Sequence, residues 1–237
     1  MQLFYHSDIQ PMSLLVTFSK EESRHMVKVL RKKRGDQIHI TDGRGNLYLA
    51  EIVSDNDKKC EVQVLNSESK PDQKGYRLHV AIAPTKNNDR FEWFLEKSTE
   101  IGIDEITPIL CDRSERKKMN PERCEKVLLA AMKQSLKFSL PTLNPLQPLD
   151  DLLKNVESEA KLIAHCDEGE KKGLSMLVQN KSDMLVLIGP EGDFSPREIE
   201  DAIKAGFQNL DLGKNRLRTE TAGVVVCSNI AFMKEFS

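Results

Sequence analysis

Two short segments carry the side chains capable of chemistry. In LDLGKNRLRTETAG (210–223) a strand-like run ends at Leu212-Gly213. Lys214, Arg216 and Arg218 then lead into a segment that reads as a helix, with Glu220 in its first turn and Thr219 or Thr221 as its cap. Cations just before a helix N-terminus oppose the helix dipole, so folding alone does not account for them; a polyanionic substrate would. In LIGPEGDFSPREIE (187–200) an apolar run ends in Gly189-Pro190, and Glu191 and Asp193 flank Gly192. There is no Walker lysine and no G-x-G-x-x-G fingerprint, and two acids would repel a pyrophosphate. The loop suits a ligand without phosphate, a cationic one in particular. The alternative is that both acids only complement the dipole of the next helix.

The elements around these loops are legible. MLVLIG (184–189) lacks polar alternation and reads as a strand buried on both faces. Ser195 as N-cap, Pro196 at the first helical position and Glu198 closing a capping box open a helix that Gly206 ends. The loop therefore sits at the carboxyl end of a strand in an α/β sheet, where such folds bind ligands. From residue 76 strands and helices alternate: YRLHVAIAP, then DRFEWFLEKSTEIG as a helix with Phe91, Phe94, Leu95, Ser98 and Ile101 on one face, then EITPIL. NPERCEKVLLAAMKQSLKF follows as a helix, AKLIAH and NLDLG as strands, and TETAGVVVCSNIAFMKEF as a closing helix. This pattern predicts an α/β domain with a mostly parallel sheet.

The first part of the chain has a different pattern. DQIHIT, LYLAEIVS and CEVQVLN are short strand-like runs separated by the turns DGRGN and DNDKK, which suits a small barrel. SESKPDQKG (67–75) reads as a linker, which divides the chain into domains 1–72 and 73–237. Net charge is −2, so nucleic-acid binding needs a local patch. KEESRHMVKVLRKKRGD (20–36) supplies one, with seven basic residues against three acids. Arg24, Lys28 and Arg31 recur at helical spacing and are expected to share a face. CDRSERKK (111–118) is a weaker cluster. No apolar run approaches a membrane span, and MQLFYHSD does not read as a signal peptide. The five cysteines form no C-x-x-C, and the five histidines are scattered. No metal site or disulfide framework is expected, and a reducing cytoplasm is.

IGPEGDFSPREI followed by LGKNRLRTETA closely resembles the paired C-terminal motifs of the RsmE family, the 16S rRNA (uracil-N3)-methyltransferases of the SPOUT class. HMVKVLRKKRGDQIHITDG, EKSTEIGIDEITPI, KQS and LPTLNP extend the resemblance over nearly the whole chain. Two positions depart from the family pattern: Asp193 stands where a second glycine is usual, and Arg216 is displaced by one position.

The resemblance implies an α/β fold. A C-terminal SPOUT methyltransferase domain with a trefoil knot and a mostly parallel sheet would follow a small N-terminal PUA-like β-barrel. It implies S-adenosyl-L-methionine as cofactor, whose sulfonium cation and lack of phosphate suit an acidic loop. It implies a homodimer acting in ribosome biogenesis, with 16S rRNA or the assembled small ribosomal subunit as partner. Ile188, Leu212 and Leu217 would form the adenine pocket. Gly189, Gly192 and Gly213, with Pro190 and Glu191, would let backbone approach the adenosine. His165 would border the methionine end or be a plain loop histidine. Arg218 would orient the uracil and stabilise its anion. Glu220 would act as base or pair with Arg218. Arg24, Lys28, Arg31, Lys32, Lys33 and Arg34 would hold phosphates, with Arg216 a further RNA contact. Lys97 and Glu100 would form an ion pair or touch substrate. Val224–Val226 and Phe232 would offer apolar surface to a second copy. The rival readings are a SPOUT enzyme acting on another RNA atom, such as a ribose 2′-hydroxyl, and a non-catalytic ribosome-binding protein.

Overall fold

The computed structural model describes residues 1–11, 13–71 and 74–235. The expected domain junction at 72/73 lies outside the described residues. The chain forms two compact units: Met1–Gln73 together with Met132–Leu140, and Lys74–Ala131 together with Pro141–Ser237. Among the described residues no helix is long and apolar enough to cross a membrane.

The first unit contains β1 (Leu3–Tyr5), β2 (Leu15–Thr17), α1 (Lys20–Arg24), β3 (Gln37–Thr41), β4 (Asn46–Ser54) and β5 (Glu61–Ser69). They form a mixed five-stranded sheet in the order β1-β3-β4-β5-β2, parallel only between β1 and β3. Ile38, Ile40, Tyr48, Ala50, Ile52 and Val62 turn inward, and Phe4, Phe18 and Met26 close their core. Strand β5 runs to Ser69, so the first three residues expected in the linker are sheet.

The basic segment corrects the expected shared face. After Arg24 the helix widens into a π-turn over His25–Val29, where Leu30 N–H reaches the His25 carbonyl at 3.0 Å. Arg31 then takes φ +55° and leaves the helix. The wider turn rotates later side chains away from the 3.6-residue register, so Arg24, Lys28 and Arg31 do not lie on one helical face. The helix expected over 120–138 stops at Gln134, and the chain beyond it joins the first unit. There Thr41 Oγ1 and Gly45 N–H both donate to the Phe138 carbonyl, at 3.0 and 2.9 Å.

The second unit runs β6 (Arg77–Ile82), α2 (Asn88–Ile101), β7 (Glu105–Leu110), α3 (Pro121–Gln134, shared with the first unit), β8 (Thr142–Leu143), β9 (Gln147–Pro148), α4 (Leu149–Asn155) and β10 (Ala160–Ala164). It continues with β11 (Lys172–Gly173), α5 (Leu174–Val178), β12 (Asp183–Ile188), α6 (Pro196–Lys204), β13 (Gln208–Asp211) and α7 (Thr219–Glu235). The sheet order is β11-β13-β10-β12-β6-β7-β8, and its pairings are parallel. β12 is central and buried, as its unbroken apolar run requires. Ser195 and Glu198 form the expected capping box of α6.

Helix α7 lies against α2, and Gly223 makes that approach possible. A Cβ there would stand 2.6 Å from the buried ring of Phe94 and 3.2 Å from Ile82. The same seating buries Val226 completely, while Val224 and Val225 are half-buried and Phe232 is exposed. Val226 is thus core rather than the surface expected of it, because α7 turns its inward stripe toward Phe94. Gly223→Ala is expected to push α7 off α2 and to cost about 1–3 kcal/mol, the usual range for overpacking a filled core. Urea unfolding of the two proteins measures the difference.

Candidate active site

Strands β12, β10 and β13 are parallel neighbours, so the chain leaves all three at the same edge of the sheet. Between the loops that follow lies a cavity of about 600 Å³. Ile188, Leu210, Leu212 and Leu217 supply apolar wall; Glu191, Asp193 and Asp211 supply acid; Lys171, Lys214, Arg216 and Arg218 supply base. His165 also lines it. Its Nε2 lies 2.9 Å from Asn209 Oδ1, and its buried Nδ1 has no hydrogen-bond partner among the described residues. With Nε2 donating, Nδ1 offers a lone pair. Gly213 adopts φ +110° with nothing within 4 Å of where a Cβ would stand, so the backbone is bare on that side.

The loop after β12 is fastened at every side. Thr219 Oγ1 donates to the Gly189 carbonyl at 3.0 Å. Glu191 Oε1 accepts the Lys86 N–H at 2.9 Å. Asp193 accepts Phe194 N–H at 2.8 Å and Cys166 N–H at 2.7 Å. Arg113 donates to the Gly192 and Phe194 carbonyls, both at 3.0 Å. The two acids thus have a role beyond both sequence readings: they accept backbone N–H groups and hold the loop to its neighbours. The anions that serve α6 are others. Glu198 takes the N–H groups of Ser195 and Asp112, and Asp112 accepts the Ser195 hydroxyl at 2.6 Å. That hydroxyl and Arg197 hold the Asp112 carboxyl below the usual carboxylate range.

The start of α7 is equally specific. Ala222 N–H donates to the Arg218 carbonyl, so Arg218 occupies the cap position. Thr219 does not cap, because its hydroxyl is engaged by Gly189. A second cavity, of about 560 Å³, opens on the other side, lined by Asp89, Arg90, Trp93, Arg218, Glu220 and Thr221. Arg218 borders both cavities. Glu220 is 5% exposed. It does not pair with Arg218; its ionic neighbour is Arg90, at 3.8 Å from Oε1, beyond hydrogen-bond reach. Its Oε2 is buried with no hydrogen-bond partner among the described residues.

Of the residues expected at the cofactor, His165, Ile188, Gly189, Pro190, Glu191, Leu212, Gly213 and Leu217 line the first cavity. Gly192 does not; a Cβ there would meet Arg113 Cβ at 3.2 Å, so its small size serves the packing of Arg113. Gly189 is needed against Phe194, whose ring and backbone nitrogen lie 3.0–3.2 Å from its would-be Cβ. Arg216 lies exposed on the wall of the first cavity. Lys97 pairs with Glu96 and Glu100 on its own helix. In the first unit Arg24, Lys28, Arg31, Lys33 and Arg34 are exposed and Lys32 is half-buried; Lys28 sits 3.5 Å from Asp57. The weaker basic cluster is structural in part, since Arg113 and Arg116 both donate to backbone carbonyls. Sequence reasoning missed Arg90 and Trp93, which read there only as positions on an amphipathic helix.

A parallel α/β unit thus carries a cavity at the carboxyl ends of its strands, and a small mixed sheet precedes it in the chain. Residues 72–231 match the model of the RNA methyltransferase domain, and residues 18–65 that of the RNA methyltransferase PUA domain. The chain belongs to the family of ribosomal RNA small subunit methyltransferase E. The Mesomycoplasma hyopneumoniae member is 30% identical over 84% of this chain and 86% of its own. A probable rRNA-methyltransferase from Porphyromonas gingivalis has 41% identity and a TM-score of 0.92, covering 100% of this chain and 99% of that one. The Neisseria gonorrhoeae enzyme, whose structure was determined bound to S-adenosyl methionine, has 25% identity and a TM-score of 0.88, covering 98% of each chain.

The role of Asp193 is testable. The residue holds φ +63°, a region aspartate tolerates better than most residues. Asp193→Ala keeps the backbone strain and removes both accepted bonds; a loss of about 1–3 kcal/mol is expected. Asp193→Gly should lose less, because glycine takes that φ without the Cβ penalty. Thermal unfolding should rank wild type above glycine and glycine above alanine.

Proposed function

We propose that the protein transfers the methyl group of S-adenosyl-L-methionine to N3 of a uridine in small-subunit ribosomal RNA. One observation carries this reading: two cavities share Arg218 as a wall, and the second is lined by Glu220, whose buried Oε2 has no hydrogen-bond partner among the described residues. A direct displacement needs donor and acceptor held side by side in line, with a group to take the acceptor's proton.

The first cavity suits the cofactor. Its volume falls in the range of small-molecule sites, of roughly 300–1,000 Å³. Ile188, Leu212 and Leu217 offer an apolar bed for adenine. The bare backbone at Gly213 allows close approach of the nucleoside. His165 Nδ1 offers an acceptor to the methionine ammonium. When bound, the sulfonium supplies the methyl group. Glu220 takes the N3 proton, which leaves the electron pair on the uracil ring. Arg218 stabilises the negative charge that then spreads over the ring carbonyls, and this interaction grows toward the transition state. N3 lies on the Watson–Crick edge, so the uridine must be unpaired or extruded. Arg24, Lys28, Arg31, Lys32, Lys33 and Arg34 hold RNA phosphates. The chain is threaded as a trefoil knot, and a second copy packs on the α7 face that carries Val224, Val225 and Phe232.

Calorimetry should show S-adenosyl-L-methionine binding in the presence of a chelator, and mass spectrometry of digested rRNA should find 3-methyluridine as product. Label on ribose would move the assignment to a 2′-hydroxyl methyltransferase, and no cofactor binding would favour a ribosome-binding protein without catalysis. Arg218→Ala should bind cofactor nearly normally and transfer methyl about a hundred- to thousand-fold more slowly, the usual effect of losing one such donor. Removing the charges of Arg31, Lys32 and Lys33 together should flatten the salt dependence of RNA binding by roughly one unit of slope for each phosphate that is no longer neutralised.

A further inference from the structure

Residues 89, 90 and 93 lie on one face of the first turns of α2, and that face forms one side of the second cavity. The other side is the first turn of α7, with Arg218, Glu220 and Thr221. Trp93 is 41% exposed, although it is the largest apolar side chain on a helix whose Phe91, Phe94 and Leu95 are buried. Arg90 approaches Glu220 without closing a hydrogen bond, and Glu220 Oε2 has no partner among the described residues. A buried carboxylate left in this state is costly, because desolvation is not repaid by a full set of donors. The arrangement has the form of a site whose remaining partner arrives with a ligand.

Resting on the reading under Proposed function, we propose that the second cavity is the acceptor-base pocket, with Trp93 as its stacking platform and Arg90, Glu220 and Arg218 reading the edge of uracil. The Watson–Crick edge of uracil presents a carbonyl acceptor, the N3–H donor and a second carbonyl acceptor. The cavity carries the complementary groups: guanidinium donors on Arg90 and Arg218 and a buried carboxylate acceptor on Glu220, with Asp89, largely exposed, also on its wall. Cytosine reverses two of these groups, placing a ring-nitrogen lone pair against Glu220 and an amino donor against a guanidinium. The pocket therefore selects uracil by charge and hydrogen-bond polarity, and Trp93 supplies the sequence-tolerant stacking by which proteins hold an unpaired base. Arg90 and Trp93 join Arg218 and Glu220 as specificity residues.

Trp93 is the sole tryptophan of the chain, so its fluorescence reports on this pocket alone. The full-length protein, saturated with S-adenosylhomocysteine, is titrated with a single-stranded hexaribonucleotide containing one uridine, and with the same oligonucleotide carrying cytidine instead. Saturable quenching by the uridine oligonucleotide is expected, with at least tenfold weaker binding of the cytidine one. Glu220→Gln and Arg90→Ala should each reduce that discrimination. By anisotropy of labelled RNA, Trp93→Ala should bind about ten- to a hundred-fold more weakly, and Trp93→Phe should recover most of the loss. Affinity for S-adenosyl-L-methionine should be unchanged in Trp93→Ala, Trp93→Phe and Arg90→Ala. No quenching, equal quenching by both oligonucleotides, or full RNA affinity in Trp93→Ala would overturn the proposal. So would a Trp93→Ala protein that loses dimerisation but not RNA affinity, since Trp93 would then be an interface residue. The nucleoside product of the wild-type enzyme tests the function separately: a product other than 3-methyluridine refutes that reading whatever Trp93 does.

Discussion

The arrangement of the site depends on how the N-terminus of α7 is held. Two contacts set it: the Thr219 hydroxyl on the Gly189 carbonyl, and the absence of a side chain at Gly223, which lets the helix meet Phe94. The first joins the loop leaving β12 to the loop leaving β13, although thirty positions separate the two residues. The second brings the α7 first turn beside Asp89, Arg90 and Trp93 on α2. Arg218 at the cap consequently borders both cavities, and Glu220 in the turn that follows lines the second. Neither cavity would have its shared wall if α7 were shifted outward.

Electrostatics are divided in the same way. Glu191 and Asp193 in the first cavity accept backbone N–H groups, so their charge is compensated locally. Charge-assisted bonds of this kind are stronger than neutral ones and preorganise a loop before any ligand binds. In the second cavity Glu220 Oε2 has no hydrogen-bond partner among the described residues. In the proposed function the first cavity holds the cofactor and the second the base that gives up a proton. The cation at the α7 cap, unfavourable for the helix dipole, borders both cavities.

The local elements were legible because they obey short-range rules. The capping box of Ser195 and Glu198, the buried run of β12 and the amphipathic stripe of α2 each follow from side chains within a few positions of one another. The elements that escaped notice, β1, β2, β8, β9, β11, α4 and α5, span two to seven residues and carry too few side chains for a periodicity to show. The basic segment failed for a different reason. Its spacing fits an α-helix, but the backbone widens into a π-turn after Arg24, where Met26 enters the core and Leu30 bonds back to His25. Periodicity assumes a constant pitch and cannot register that change.

The amino-acid sequence by itself determined the composition of the two ligand loops, the strand and helix flanking each, and the motifs by which the chain resembles its family. Eight of the nine residues expected at the cofactor line one cavity, because a strand-end loop in a parallel sheet has only one place to go. Tertiary structure alone decided what each side chain faces. Gly192 serves Arg113, Glu220 looks to Arg90 instead of Arg218, Val226 is core, and Trp93 lines a cavity. These outcomes depend on contacts between segments as much as 130 positions apart, such as Arg90 with Glu220. Side-chain identity sets what chemistry a residue can do, but its partner is chosen by which distant backbone packs within a few ångströms of it.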